Sequence, residues 1–324
     1  MVVLKPISSA TFEDLSGIST SAFDNPYDAL ISASSDDPAQ IQARYQTHRS
    51  TRNAQQKAKM LADDFTGVSI DQILLRLERP SIEPGYVDPR HCLVFWARPT
   101  EKVKQLIHRV QQELLTVAPN LWIMPQDCLH MTALEITHSK TAPEIASLVD
   151  TMRPSIPEIT DYTFTHRTRL IKPTIGFDAS ALALSFVPAA GETSNTGSGR
   201  ILEEDKYTYH HLRRDLYELC GKSGVKVDSR YVVPSSHLTI GRFIEAKDFE
   251  NDDGAHDVAK MEKFLDKIEE INAWLENEFW PEHHHGNLPD GGEWIVGEEK
   301  GLICRAGSLW YGDGGESVHT GKGF

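Results

Sequence analysis

Two short runs hold the residues best equipped to do chemistry together. They are Leu129-His130-Met131-Thr132-Ala133-Leu134-Glu135-Ile136 and Ser236-His237-Leu238-Thr239-Ile240-Gly241-Arg242-Phe243. In each, one apolar residue separates a histidine from a threonine. Residues i and i+2 of a β-strand point to the same face. Each His therefore stands beside its Thr, while Met131 and Leu238 point into the opposite layer. Two such pairs facing one another would form a pocket with two imidazoles and two hydroxyls. That is the equipment for general acid–base chemistry on a phosphate ester.

A His-x-Thr or His-x-Ser triplet is by itself a weak signal. The chain has two more, at His48/Ser50 and His166/Thr168. His48 lies in a polar helical stretch, where i and i+2 do not face each other, and reads as solvated. His166 has no apolar run after it and reads as a surface strand residue. The other two pairs share a preceding helix, an extended segment with Pro, and an apolar strand. Trp122-Ile123-Met124-Pro125 precedes His130, and Tyr231-Val232-Val233-Pro234 precedes His237. This repetition reads as a degenerate internal duplication.

The elements needed to position the pairs are legible in hydrophobic periodicity. Residues 1–88 are rich in Ser, Ala, Asp and Gln and lack strand patterning. Helices are expected at 39–65 and 69–77, then Pro80, Pro84, Gly85 and Pro89 break the chain. We read residues 1–88 as a helical extension or lid and residues 89–324 as the domain that carries the motifs. A buried strand is expected at 91–97, a helix at 100–117 with apolar residues at helical spacing, and strand at 121–136. A helix follows at 142–152, and two strand-like runs at 170–187. After a Gly/Ser/Thr loop at 191–199 the order repeats: helix 203–220, extended chain 225–233, then the second motif. Helix 260–280 and two strands of a terminal hairpin, at 293–296 and 301–304, precede a Gly-rich tail. Alternating helices and strands in two similar halves imply an α+β protein with a cleft between the halves.

Composition narrows the classes. The chain has 324 residues, 40% hydrophobic and 25% charged, as expected of a globular enzyme. No apolar run is long enough to span a membrane. Residues 1–6 lack the apolar core of a signal peptide. Cys92, Cys128, Cys220 and Cys304 have no metal-ligand spacing and read as reduced thiols. A cytoplasmic location is expected, with the nucleus also open. The net charge is −14, and residues 245–299 carry 17 acids against four lysines, so 4 − 17 = −13 of it lies there. This balance argues against binding long nucleic acid by a broad basic surface. Residues 44–59 are the exception, with five Lys or Arg and no acid. They read as a solvated helix face, or as a guide for an RNA end. His283-His284-His285 reads as an exposed triplet, since consecutive histidines fit tetrahedral ligation poorly. No metal and no cofactor is expected. Trp96 reads as aromatic core, whereas Trp310 and Tyr311 are candidates to stack a base.

With both motifs in view, the chain resembles the 2H phosphoesterase superfamily, which includes 2′,3′-cyclic nucleotide phosphodiesterases and bacterial RNA 2′–5′ ligase-like proteins. The run His237-Leu238-Thr239-Ile240-Gly241-Arg242 is especially similar to that family's second motif. In the first motif, Glu135 stands where the family carries an apolar residue. The resemblance covers residues 89–311. It implies a duplicated two-lobe fold with a central cleft lined by antiparallel strands, each lobe giving one His and one Thr. It further implies that His130 and His237 are catalytic, with His237 as base and His130 as acid. Thr132 and Thr239 would hold the phosphate oxygens. The function implied is metal-independent hydrolysis of 2′,3′-cyclic phosphates of nucleotides or RNA ends, to 2′-phosphates. Alternatives are an RNA exonuclease or 2′–5′ phosphodiesterase, and a nucleotide- or RNA-end-binding protein without turnover. The expected partner is that substrate alone, with no membrane, no obligate protein partner, and a monomeric chain.

Overall fold

The structure, a computed structural model, describes residues 13–192, 204–283 and 288–324. The first 12 residues, the expected Gly/Ser/Thr loop from residue 193 onward, and His284 and His285 lie outside them. The chain begins with helices α1 (Asp28–Ala33), α2 (Pro38–Met60) and α3 (Gln72–Glu78). Next come strand β1 (His91–Ala97), α4 (Glu101–Leu115), β2 (Trp122–Ile123), β3 (Met131–Lys140), α5 (Ala142–Met152) and α6 (Ile156–Asp161). Strands β4 (Arg169–Phe177) and β5 (Ala181–Pro188) follow, then α7 (Tyr209–Lys222) and β6 (Ser236–Arg242). Helix α8 (Val258–Phe279) and strands β7 (Glu293–Ile295), β8 (Lys300–Gly307) and β9 (Glu316–Lys322) complete the chain.

Helix boundaries follow local chemistry. Asp37, Asp71, Thr100, Thr208 and Asp257 each accept a backbone N–H of the helix they open, which satisfies donors the first turn leaves orphaned. Pro38 starts α2, where its missing N–H costs nothing. The apolar stripe of α4 (Val103, Leu106, Ile107, Val110 and Leu114) is buried, as its periodicity requires.

The described strands form one antiparallel, curled sheet in the order β7-β4-β5-β6-β3-β1-β8-β9, with β2 pairing β6 at the side. The fold is mixed α and β, in keeping with the α+β expectation. The motif strands β3 and β6 are neighbours at the centre of the order. Their ladder has a single residue pair, Met131↔Leu238. Helices α2 and α8 pack on β4, α4 on β6, α7 on β3, and α5 on β1 and β8. Alternation decides what each strand gives to the core. Leu93, Phe95 and Ala97 of β1 join the main core, while Cys92, Val94 and Trp96 form a separate apolar patch with Leu309.

Two expectations change. Strands β7 and β8 do not form a hairpin, because β7 pairs β4 and β8 pairs β1, at opposite ends of the sheet. The terminal hairpin is β8–β9, so the Gly-rich tail is itself a strand. Its turn forces the chain through positive φ at Gly312, Gly314 and Gly315. Residues 225–233 are extended but join no ladder. The described part of the N-terminal extension is helical, and Tyr27, Leu30, Ile41, Tyr45 and Met60 are buried in the common core. Among the described residues no helix is long and apolar enough to cross a membrane.

Candidate active site

The Met131↔Leu238 pair fixes the geometry of the two motifs. In an antiparallel run, the neighbours of a facing pair also face each other. His130 therefore lies opposite Thr239, and Thr132 opposite His237, on the sheet face that Met131 and Leu238 avoid. Met131 and Leu238 are buried in the main core, and the four polar residues are half-buried. His130, Thr132, His237 and Thr239 all line one cavity of about 550 Å³ of empty space, part of it open to solvent.

Each motif strand then carries a bulge after its threonine. On β3 the partners step from Phe95↔Leu134 to Trp96↔Thr132, which leaves Ala133 as the extra residue. On β6 they step from Leu182↔Gly241 to Ala183↔Thr239, which leaves Ile240 extra. An extra residue shifts the alternation by one position. The third residue after each threonine therefore returns to the cavity face: Glu135 on β3 and Arg242 on β6, both lining the cavity. Both bulge carbonyls are held by buried side chains. Gln111 Nε2 of α4 donates to Ile240 O (3.0 Å) and Arg213 Nε of α7 to Ala133 O (3.3 Å). The helix before each motif thus clamps the bulge of the other motif.

The imidazoles are oriented from behind. His130 Nδ1 lies 2.8 Å from the Cys128 carbonyl, which can only accept, so Nδ1 carries a proton and a neutral ring has its lone pair on Nε2. The Trp96 indole stacks on this ring, with centroids 3.9 Å apart. His237 Nδ1 lies 2.9 Å from Ser235 Oγ, a hydroxyl that can donate or accept. Burial, aided by nearby guanidinium groups, pushes His130 down to about 3 and His237 down to about 4. Both rings are therefore neutral at pH 7.

Arg242 is oriented by the N-terminal extension. Its Nη1 lies 3.3 Å from Asp71 Oδ2, and Asp71 Oδ1 accepts the Tyr311 hydroxyl at 2.7 Å. Among the described residues, nothing from residues 13–88 lines the cavity. The extension braces it from outside. Tyr27 donates to the carbonyl of the cavity residue Tyr231 at 3.2 Å.

At the other end stands a pair no motif announced. Glu135 is only 3% exposed and accepts Arg230 Nη2 at 2.6 Å, Arg230 Nε at 3.0 Å and Arg230 N at 3.1 Å. Arg230 also lies over Trp310 and Tyr231. The signal available in the sequence was Glu135 itself, because a carboxylate inside an apolar strand needs a buried partner. Nothing local indicated that the partner lies 95 residues away.

The remaining candidates fall elsewhere. His48 is not solvated: it is 4% exposed, and its Nδ1 accepts the Leu15 N–H at 3.0 Å. His166 is not in a strand. It sits in the turn before β4 and stacks face to face on Tyr162 at 3.8 Å. The basic residues of 44–59 are largely neither a solvated face nor a guide. Arg49 donates to the carbonyls of Lys172 and Ser185, Arg52 pairs with Asp178, and Lys57 pairs with Glu269. The stretch docks α2 onto β4, β5 and α8, so most of its charge is already partnered. Trp96 is buried as expected, and it also lines the cavity. Trp310 lines it too, while the Tyr311 hydroxyl is committed to Asp71. All four cysteines are free thiols. Compared with family models and with curated proteins, the chain finds no match.

Proposed function

We propose that the protein is a phosphodiesterase of the 2H phosphoesterase type, hydrolysing 2′,3′-cyclic phosphates of nucleotides or RNA ends without a metal. The observation that carries this reading is that His130, Thr132, His237 and Thr239, which flank the single facing pair Met131↔Leu238, all line one cavity. A cyclic phosphate seated there meets a hydroxyl and an imidazole from each strand. One imidazole takes a proton from water as its oxygen attacks phosphorus. The other gives a proton to the departing ribose 3′ oxygen, which leaves a 2′-phosphate. Thr132, Thr239 and Arg242 hold the non-bridging oxygens, where charge builds up in the transition state. The two resembling motifs, with their bulges and crossed clamps, support a duplicated two-lobe arrangement.

The hydrogen bonds favour a proton order opposite to the one expected from the sequence. The Cys128 carbonyl keeps the lone pair of neutral His130 on Nε2, which suits a base. His237 Nδ1 faces the Ser235 hydroxyl, which can accept a ring proton and so lets this ring carry protons on both nitrogens, which suits the acid. Turnover of 2′,3′-cyclic AMP in the presence of a chelator tests the reaction. His130→Ala and His237→Ala should each lower kcat by on the order of 10²–10⁴ fold, and Thr132→Ala or Thr239→Ala by less. A 3′-thio substrate, whose sulfur leaves without a proton, should restore only the His237 variant. A wild-type protein that turns over no cyclic phosphate, or one that needs a divalent ion, defeats the proposal.

A further inference from the structure

The cavity continues along β3 past Thr132 to Glu135, and we propose that this end is a nucleobase subsite that selects guanine through Arg230. This rests on the phosphodiesterase reading above. Three residues of strand separate Thr132 from Glu135, roughly 7–10 Å, which is the reach from a ribose phosphate to the far edge of a purine. Val94 and Leu309 supply apolar wall here, and the Trp310 indole supplies an aromatic one.

Charge decides between a base and a second phosphate. The guanidinium of Arg230 is matched by the buried carboxylate of Glu135, so the subsite is close to neutral and gains little from another anion. Geometry decides which base. Glu135 takes Nε and Nη2, the side of the guanidinium. Among the described residues Nη1 makes no hydrogen bond, so the end fork of Nη1 and Nη2 still has two parallel donors. Guanine presents two adjacent acceptors, O6 and N7, whereas adenine puts an amino group beside N7 and would set donor against donor. The fork is rigid as well. Glu135 holds it at two points, Nε and Nη2, and also accepts the Arg230 backbone N–H, and the Trp310 ring centre lies 4.5 Å from the guanidinium carbon. Trp310 is itself fixed by donating Nε1 to the Arg90 carbonyl at 3.2 Å.

The test is kcat/KM for 2′,3′-cyclic GMP, AMP, CMP and UMP with wild type and Arg230→Lys. Lysine keeps a cation against Glu135, so the pair is not left as a lone buried charge, but it lacks the planar fork. Wild type should favour GMP over AMP by on the order of ten- to hundredfold, and the ratio should fall to near one in the variant. Equal rates for GMP and AMP, a preference for a pyrimidine, or a ratio unchanged by Arg230→Lys overturns the subsite and leaves the phosphodiesterase reading intact. If no cyclic nucleotide is turned over, calorimetric binding of 2′-GMP and 2′-AMP decides the subsite separately. Tighter 2′-GMP binding that Arg230→Lys abolishes upholds it, and equal binding overturns it.

Discussion

Binding of a phosphate should itself create the catalytic acid. Burial holds His237 at about 4 and His130 at about 3. At pH 7 a ring with a pKa of about 4 is protonated in only ~0.1% of molecules. A phosphodiester brings one negative charge to hydrogen-bond distance. Across about 4 Å, at an effective dielectric near 20, that charge favours the imidazolium by about 4 kcal/mol. At 1.36 kcal/mol per unit the shift is about 3 units, which carries His237 from about 4 to near neutrality. The second ring stays neutral, because a protonated neighbour opposes another proton. Imidazole NMR titrations with and without a 2′-nucleotide or vanadate measure both states directly. Kinetics give a second measure, since kcat/KM reports groups of the free enzyme and kcat those of the complex. Thus kcat/KM should rise about tenfold per unit as pH falls from 7 towards 4, whereas kcat should be bell-shaped around neutrality. Two imidazoles titrating near 6.5 in the free protein, and unmoved by the ligand, would refute the reasoning.

Further outcomes follow from particular contacts. A Cβ at Gly312 would collide with the Cys128 carbonyl, and Gly312 has φ of +79°, so Gly312→Ala should displace the acceptor that orients His130 and lower kcat with little change in KM; an unchanged kcat counts against that role. Truncating Arg230 to Ala leaves the Glu135 carboxylate buried alone and should cost about 3–5 kcal/mol by urea unfolding, against a smaller loss for Arg230→Lys; equal losses would show that charge compensation is not the point. Stability should fall as pH falls below about 6.5, since the unfolded chain then protonates histidines that His130, His210 and His237 keep neutral in the folded state. Each contributes a slope of about 1.4 kcal/mol per pH unit until its folded pKa is reached, so His210→Phe should flatten the urea-midpoint profile between pH 6 and 5. Asp71→Asn should weaken the hold on Arg242 and raise KM more than it lowers kcat; a variant kinetically identical to wild type would show that the extension does not tune the site.

The candidate site was legible in the sequence wherever its chemistry obeys a short period. His130 and Thr132, and His237 and Thr239, share a face because strands alternate, and that needs no tertiary contact. The apolar stripes of α4 and α8 were legible for the same reason. Burial of an amphipathic helix is written in its own spacing. The partners of these elements were not. β7 and β8 looked like a hairpin because they are neighbours in sequence, yet their strands pair at opposite ends of the sheet. Pairing is settled by long-range packing, which local pattern does not encode. The basic run at 44–59 and His48 looked solvated because charge usually is. Only the sheet beneath α2, with its carbonyls and Asp178, gives that charge a buried place. The bulges at Ala133 and Ile240 decide the most. They turn Glu135 and Arg242 into the cavity against simple alternation. They are held by Gln111 and Arg213 from helices of the opposite motif. Residue types and their spacing already named the groups able to do the chemistry. The tertiary structure alone decided which charged groups join them, because one extra residue in a strand reverses every face after it.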